Sequence, residues 1–581
     1  MDRAPVSGWA LYRRRLQIIV GERRGELVAM IGFSLAICAL ELASIGLVLP
    51  FLNVLTDANR MRRGLPPALH SLDDGQLLLL VAALFFTAFV AKSMASFLMS
   101  RRINRFCYEL QAGLRSRLMS AYQQRAWEWH LGRNSAGLLS RIVEDVDAVI
   151  DFHVRPLLQL VSEILLIFLI ACLVFVLAPF SALLLGALFV LAGVAYEKLV
   201  RRRVHRAGEQ WVEANTALIQ NIKEGVGGFR EARVLQREPF FLARVEESAK
   251  RIASAMITHQ SYSLVPRFLL ESSFAAFVLL ITLLSVLTDS MAALLPALVL
   301  STAAGLRLLP SVKGVIEAMS ALRFGLPAIQ VVLEDLIVPP PATSGTATPE
   351  RAADPTRLWE RFDMVDVAYR YPDMGHNALD GVNMSLRRGE AVAVIGASGA
   401  GKSTLVALLL GILDPQEGRI ELDGKLLSEV RRVWMNRLAY IPQEGFLRDA
   451  SIRENVALGI PADQVDDPRV WAALRRARIA EFIEAQPGGL DVRVGEGGIR
   501  MSGGQRQRVA LARAFYHGRD VLVLDEATSA IDQETEREII DEIRRWKGDL
   551  TMVVIAHRRS TIEHCDRVYR LDGGRLAGAV E

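Results

Sequence analysis

Six long apolar runs occupy the first half of the chain: Leu27–Leu52, Gln76–Met99, Pro156–Ala178, Phe180–Val200, Leu264–Leu287 and Met291–Val312. Each is long enough to cross a hydrocarbon core of ~30 Å as a helix rising ~1.5 Å per residue. Pro179, and Thr288-Asp289-Ser290, leave room only for tight hairpins between the third and fourth and the fifth and sixth runs. The connections after the second and fourth runs exceed fifty residues. Those connections carry Arg101, Arg102, Arg105, Arg115, Arg117 and Arg201, Arg202, Arg203, Arg206, while Arg13, Arg14, Arg15, Arg23 and Arg24 precede the first run. The positive-inside tendency then assigns both termini to the cytoplasm. The opening Met-Asp-Arg-Ala-Pro has no small-residue cleavage site, so the first run is expected to stay in the membrane.

Neither long connection has a helix-breaking cluster near the membrane, so each is expected to continue its span into the cytoplasm, turn and return. Asn134-Ser135-Ala136-Gly137 marks the first turn and Gly225-Val-Gly-Gly-Phe229 the second. A short element at each tip would be placed to touch a soluble domain.

Half of the residues are apolar (51%) while 23% are charged, so the two kinds must be segregated into a membrane part and a water-soluble part. The Pro-rich stretch 338–357, beginning Val338-Pro-Pro-Pro-Ala-Thr-Ser-Gly, separates a membrane domain over 1–337 from a soluble domain over 358–581. In the latter, short apolar strands such as Ala391–Ile395, Leu438–Ile441, Val521–Leu524 and Met552–Ala556 alternate with helical stretches, the pattern of a parallel α/β sheet. A net charge of +4 is small for 581 residues and argues against a nucleic-acid partner. Cys38, Cys107, Cys172 and Cys565 share no metal-ligand spacing and read as reduced thiols.

Val392-Ala-Val-Ile-Gly396 followed by Ala-Ser398-Gly399-Ala-Gly401-Lys402-Ser403-Thr404 reads as strand, glycine loop and helix start. Loop N–H groups and the positive end of the helix would cradle phosphates, Lys402 would reach the β and γ oxygens, and Ser403 would coordinate Mg²⁺. Val521-Leu-Val-Leu-Asp525-Glu526 is an apolar strand ending in two carboxylates. Asp525 is expected to hold Mg²⁺, and Glu526 to polarise the water attacking the γ-phosphate.

From Phe362 onward these motifs resemble an ATP-binding-cassette (ABC) nucleotide-binding domain. Met501-Ser502-Gly503-Gly504-Gln505 is similar to the family signature Leu-Ser-Gly-Gly-Gln, with Met for Leu at similar volume. The resemblance implies that Tyr371 stacks on adenine, Gln443 is the Q-loop residue and a Mg²⁺ ligand, Asp532 lies in the D-loop and His557 is the switch histidine. It also implies that the signature of one cassette caps ATP held by a second. With both half-sites intact, a homodimer using ATP and Mg²⁺ is expected.

The membrane half resembles the six-helix exporter class of the same proteins. Asn134–Val146 looks like that class's first coupling region, and Glu224–Arg230 stands where the second belongs. The expected architecture is therefore a six-helix all-α transmembrane exporter domain with long cytoplasmic helical extensions, followed by an α/β P-loop ABC nucleotide-binding domain, in a bacterial inner membrane.

Glu41-Leu-Ala-Ser-Ile-Gly, Gly228-Phe-Arg-Glu-Ala-Arg-Val-Leu, Pro266-Arg267-Phe-Leu-Leu-Glu271 and Arg307-Leu-Leu-Pro310-Ser are similar to segments of bacterial flippases for lipid-linked oligosaccharides. That likeness implies movement of a polyisoprenyl-diphosphate sugar to the outer leaflet, with a short helix in the first outer loop, which Met61–Leu72 is expected to form only in part because Gly64-Leu-Pro66-Pro67 would break it. Lys92, Arg267 and Arg307 fall inside spans, toward the cytoplasmic side. Charges there are costly unless they line a cavity or pair, so they are candidates for a diphosphate headgroup, with Glu271 and Glu163 as alternative partners. A multidrug, lipid or peptide exporter is the alternative function, and a membrane-tethered regulatory ATPase a third.

Overall fold

The computed structural model describes residues 17–46, 74–177, 179–287, 291–337, 359–372, 374–443, 445–525, 544–556 and 562–580. The end of the first expected span, the outer-loop helix at Met61–Leu72 and the linker 338–357 lie outside the described residues, as do Glu526, Asp532 and His557. The chain divides into two compact units, one of residues 1–125 and 133–340, the other of 126–132 and 341–581.

Among the described residues, the regular structure of the first unit is all helical. Its long elements are α1 (Arg24–Gly46), α2 (Asp74–Gln123), α5 (Arg155–Leu177), α6 (Pro179–Gly227), α8 (Glu238–Leu287) and α9 (Met291–Phe324). Between them lie α3 (Trp127–Leu131), which belongs to the second unit, and the short helices α4 (Ser135–Ser140) and α7 (Phe229–Val234). Two π-helical segments, Arg141–Asp145 and Ile150–Val154, join α4 to α5. The helices α2, α6 and α8 run 50, 49 and 50 residues. At ~1.5 Å per residue that is ~75 Å, more than twice the hydrocarbon thickness, so each extends far beyond any span it makes. Among the described residues, four helices are long and apolar enough to cross a membrane. A fifth candidate is Ala304–Phe324 together with α10 (Leu326–Ile337), bent by 51° at Gly325. The first expected span runs from α1 into residues outside the described set.

Two clusters of contacts, around Phe324 and around Asp335, join these helices to one another. Gly208 of α6 passes so close to α9 that a Cβ there would overlap the Phe324 carbonyl. The Phe324 ring stacks on His259 with centroids 4.3 Å apart and meets Phe152 edge-on at 4.8 Å. Further along, the buried carboxylate of Asp335 on α10 accepts hydrogen bonds from Tyr122 Oη at 2.6 Å and Arg141 Nη1 at 2.6 Å. Arg125 Nη2 donates to the Asp335 carbonyl at 2.8 Å. One acid thereby ties α10 to the end of α2 and to the π-helical segment.

The first hairpin turns earlier than expected. Ala126 is extended (φ −61°, ψ 150°) and α3 occupies 127–131, whereas Asn134 is an N-cap whose side chain accepts from Ala136 N at 2.9 Å. Asn134–Val146 thus belongs to the first unit, and the piece that groups with the second unit is 126–132. The sequence Trp-Glu-Trp-His contains no breaker, which is why the turn was legible only at its glycine-bearing far side. The second hairpin reverses at Gly227–Gly228, within the stretch expected.

The second unit is α/β. Its parallel core follows the order β9-β3-β8-β7-β6, with β10 (Arg575–Val580) added antiparallel to β9 (Arg567–Asp572). The strands β3 (Ala391–Ile395), β8 (Thr551–Ile555), β7 (Val521–Asp525) and β6 (Leu438–Ile441) are short apolar runs, as strands covered on both faces require. Val392, Val394, Val521 and Val523 are fully buried in this core. A second sheet, β2-β1-β4-β5, is antiparallel and comprises β1 (Arg361–Tyr369), β2 (Leu379–Arg387), β4 (Glu417–Leu422) and β5 (Lys425–Leu426). Phe362 of β1 stacks on the buried Trp434, with ring centroids 4.7 Å apart.

Candidate functional site

The carboxyl ends of β3, β8 and β7 lie side by side, since Val394 pairs with Ile555 and Ile555 with Asp525. Open parallel sheets present ligands at that edge. The loop after β3 turns into α11 (Lys402–Leu409) through Gly401, at φ +103°, and no side chain caps the helix. The N–H groups of its first turn are therefore free of a side-chain acceptor, as an anion cradle needs. A Cβ at Gly401 would press on the Ala378 carbonyl, so the position tolerates only glycine on two grounds. Lys402 is buried, and its ammonium donates to the carbonyls of Gly396 at 2.7 Å and Ala397 at 3.1 Å. It is held inside the curl of the loop, where phosphate oxygens would compete for it. Ser398 and Gly399 lie on the loop, with Gly399 at φ +80°, and Ser403 follows Lys402 in the first turn of α11.

Asp525 ends β7, where Tyr440 of neighbouring β6 donates its hydroxyl hydrogen to Oδ2 at 3.0 Å. Burial and the Asp525 charge both push the Tyr440 hydroxyl far above its ordinary pKa, so it stays a donor. Gln443 follows β6 by two residues. A hard-oxygen set of Asp525, Gln443 and the Ser403 hydroxyl fits Mg²⁺ by chemistry, Mg²⁺ being content with a few protein oxygens plus phosphates.

Tyr371 lies just beyond β1. Its ring meets Tyr369 edge-on at 5.0 Å and its hydroxyl lies 3.4 Å from Thr404 Oγ1 on α11. Tyr369, buried, donates in turn to Glu128 Oε1 of α3 at 2.7 Å. Within the second unit, a chain of contacts thus runs from α3 through two tyrosines to the glycine loop's helix.

Ser502 is the N-cap of α13 (Gly503–Tyr516), where α12 (Asp467–Arg476) packs beside it. Its Oγ accepts from Gln505 N at 3.3 Å and its own N–H donates to Gln505 Oε1 at 2.9 Å, a complete capping box. Gly503 and Gly504 form the first turn, and Met501 is buried in the adjoining core, where its volume replaces a leucine's.

Models of two families match the chain: the ABC transporter transmembrane region over residues 27–306 and ABC transporter over 379–529. The ATP-dependent lipid A-core flippase of Alkalilimnicola ehrlichii is 32% identical over 461 residues, covering 77% of this chain and 75% of that protein. The chain belongs to the ABC transporter family. The lipid A-core flippase of Chromobacterium violaceum is 28% identical to this transporter over 574 residues, covering 98% and 94% of the two chains. The structure of a bacterial Atm1-family ABC exporter with ATP bound superposes with a TM-score of 0.78 at 24% identity, covering 96% of each chain, which shows the same fold. Membrane and ATPase domains together make this an ATP-driven membrane transporter of half-transporter build, one that works as a dimer.

In the transporter's membrane unit, the three cations singled out in the spans do not form a ring of free charges. Lys92 Nζ lies 2.6 Å from Glu41 Oε1, and Arg307 pairs with the same carboxylate oxygen. Arg267 bonds Glu271, one turn on, at 2.8 Å, with its side chain 61% exposed. The partner foreseen for Arg267 is thus the one found, whereas Lys92 and Arg307 choose Glu41 in place of Glu271 or Glu163. Sequence reading missed Tyr440, Tyr369 and Glu128, and named Glu41 only within a flippase-like segment, not as the partner of Lys92 and Arg307. Only Glu41 carried a signal, a lone acid in an apolar run.

Proposed function

We propose that this transporter is a homodimeric flippase of the bacterial inner membrane that turns a phosphorylated amphipathic lipid from the cytoplasmic to the outer leaflet. A polyisoprenyl-diphosphate oligosaccharide is the cargo we favour, with lipid A-core, the cargo in the relatives' names, as the nearest alternative. The observation that carries this reading is the pairing of Lys92 and Arg307 on Glu41: two cations against one carboxylate inside apolar helices, a surplus suited to an anionic headgroup. A drug exporter would have little use for it.

In the ATPase cycle, Tyr371 stacks on adenine, and Gly396, Ser398, Gly399, Gly401, Lys402 and Thr404 surround the phosphates. Ser403, Gln443 and Asp525 hold Mg²⁺, which would draw charge from the phosphate oxygens. Glu526 orients the attacking water and His557 contacts the γ-phosphate. The partner copy's signature, the equivalent of Ser502, Gly503, Gly504 and Gln505, closes over the nucleotide, with Asp532 at the seam.

Proteoliposomes containing the purified transporter provide the test. ATP-dependent flipping of fluorescent polyisoprenyl-diphosphate sugar and of lipid A-core is measured beside ATPase stimulation by a panel of drugs and peptides. Stimulation by drugs or peptides without flipping of either lipid would overturn the reading.

A further inference from the structure

Glu41 is the most enclosed member of the triad. Its side chain is 6% exposed, against 17% for Lys92 and 37% for Arg307. Three helices, α1, α2 and α9, each contribute one residue, so the carboxylate joins elements distant in sequence. It lies fourteen residues beyond Leu27, ~20 Å along α1 at ~1.5 Å per residue. At that depth a short acid has no route to the interface, and snorkelling does not account for the position.

Counting charge sharpens this. Within the triad two cations face one carboxylate, an excess of one positive charge. A further acid, Glu163 of α5, is bonded to Ser311, one turn along α9 from Arg307. An excess of this kind is costly to hold without a further anion or water. A guanidinium carries five donors in a planar fork, and a single carboxylate occupies one edge of it. Arg307, the most exposed of the three, keeps donors for a second anion. Lys92 Nζ also lies over the Phe89 ring of its own helix, 5.7 Å from the centroid.

We propose that Glu41 is a built-in competitor for the lipid phosphate: it holds Lys92 and Arg307 in position, gives them up when a phosphate or diphosphate headgroup arrives, and takes them back to release it. The proposal rests on the flippase reading above and adds the regulation of that site. Binding must be strong enough for entry and weak enough for departure, and an internal anion meets both demands. Because the carboxylate also joins α1 to α2 and α9, its displacement removes one tie between those helices as cargo binds.

The experiment uses the full-length transporter in nanodiscs. Binding of undecaprenyl diphosphate, of lipid A and of inorganic pyrophosphate is measured, with undecaprenol as the uncharged control, for wild type, Glu41→Gln and Arg307→Gln. Glu41→Gln should bind the phosphorylated lipids about tenfold more tightly while flipping them more slowly, and Arg307→Gln should bind them about tenfold less tightly. Undecaprenol should not distinguish the three proteins. Glu41→Asp, which keeps the charge but shortens its reach, should shift affinity the same way as Glu41→Gln and serves if the glutamine variant does not fold. Unchanged or weakened phosphate-lipid binding in the variant that folds would overturn the competitor role. A wild type that binds undecaprenol as well as undecaprenyl diphosphate would instead overturn the headgroup reading beneath it. Pyrophosphate binding equal to that of the lipids would identify a free-phosphate site and overturn the link to cargo.

Discussion

Tyr440 reaches from β6 to donate its hydroxyl hydrogen to Asp525 Oδ2, 3.0 Å away at the end of β7. The bond fixes the rotation of a carboxylate proposed to bind Mg²⁺. Carboxylate ligands tuned in this way lose roughly tenfold or more in metal affinity when the supporting bond goes. Tyr440→Phe should therefore raise the Mg²⁺ concentration for half-maximal ATPase by about tenfold, with Mg²⁺-free nucleotide binding unchanged. Mn²⁺ titration followed by electron paramagnetic resonance reads the same shift without turnover.

The Tyr369–Glu128 bond makes a different prediction. Tyr369→Phe removes one hydrogen bond to a charged group, worth ~1.5–3 kcal/mol, while keeping the ring that packs on Tyr371. Basal ATPase should persist, and lipid flipped per ATP hydrolysed should fall several-fold. Parallel flipping and phosphate-release assays on one proteoliposome preparation check it.

Glu526→Gln keeps the side chain's shape and removes its charge. Hydrolysis should drop at least ~100-fold while ATP binding survives, because positioning and charge at the attacking water are lost together. Single-turnover kinetics with radiolabelled ATP would reveal persistent cleavage, which would refute the assignment.

Asp335 anchors Tyr122 and Arg141 from a buried position. Asp335→Ala strands the partly buried Arg141 and should destabilise the membrane unit by about 3 kcal/mol. Thermal unfolding of the detergent-solubilised protein should show a lower midpoint, without change in nucleotide affinity.

The reach of sequence reasoning followed the range of the interactions. The glycine loop and the strand ending in Asp525 are local devices, in which spacing dictates backbone course, whereas Met501–Gln505 was legible through its likeness to the family signature and its capping box only in the structure. The antiparallel sheet that carries Tyr369 was hidden, because its pairings are non-local and its strands mix polar with apolar residues. Lys92 and Arg307 were visible as misplaced charges, yet their convergence on Glu41 depends on how three separate helices cross. The hairpin at 126–132 escaped because Ala126, by propensity a helix former, is extended and does the breaking.

The great length of α2, α6 and α8 has a mechanical consequence. A rod ~75 Å long converts a tilt of about 5° at one end into a displacement of ~6 Å at the other, a full helical turn in scale. Such levers turn a small tilt at one end of a helix into a movement of several ångströms at the other. Stiffness in these helices is therefore a gain setting, and a substitution that softened one mid-length would be expected to cost stroke before it cost stability.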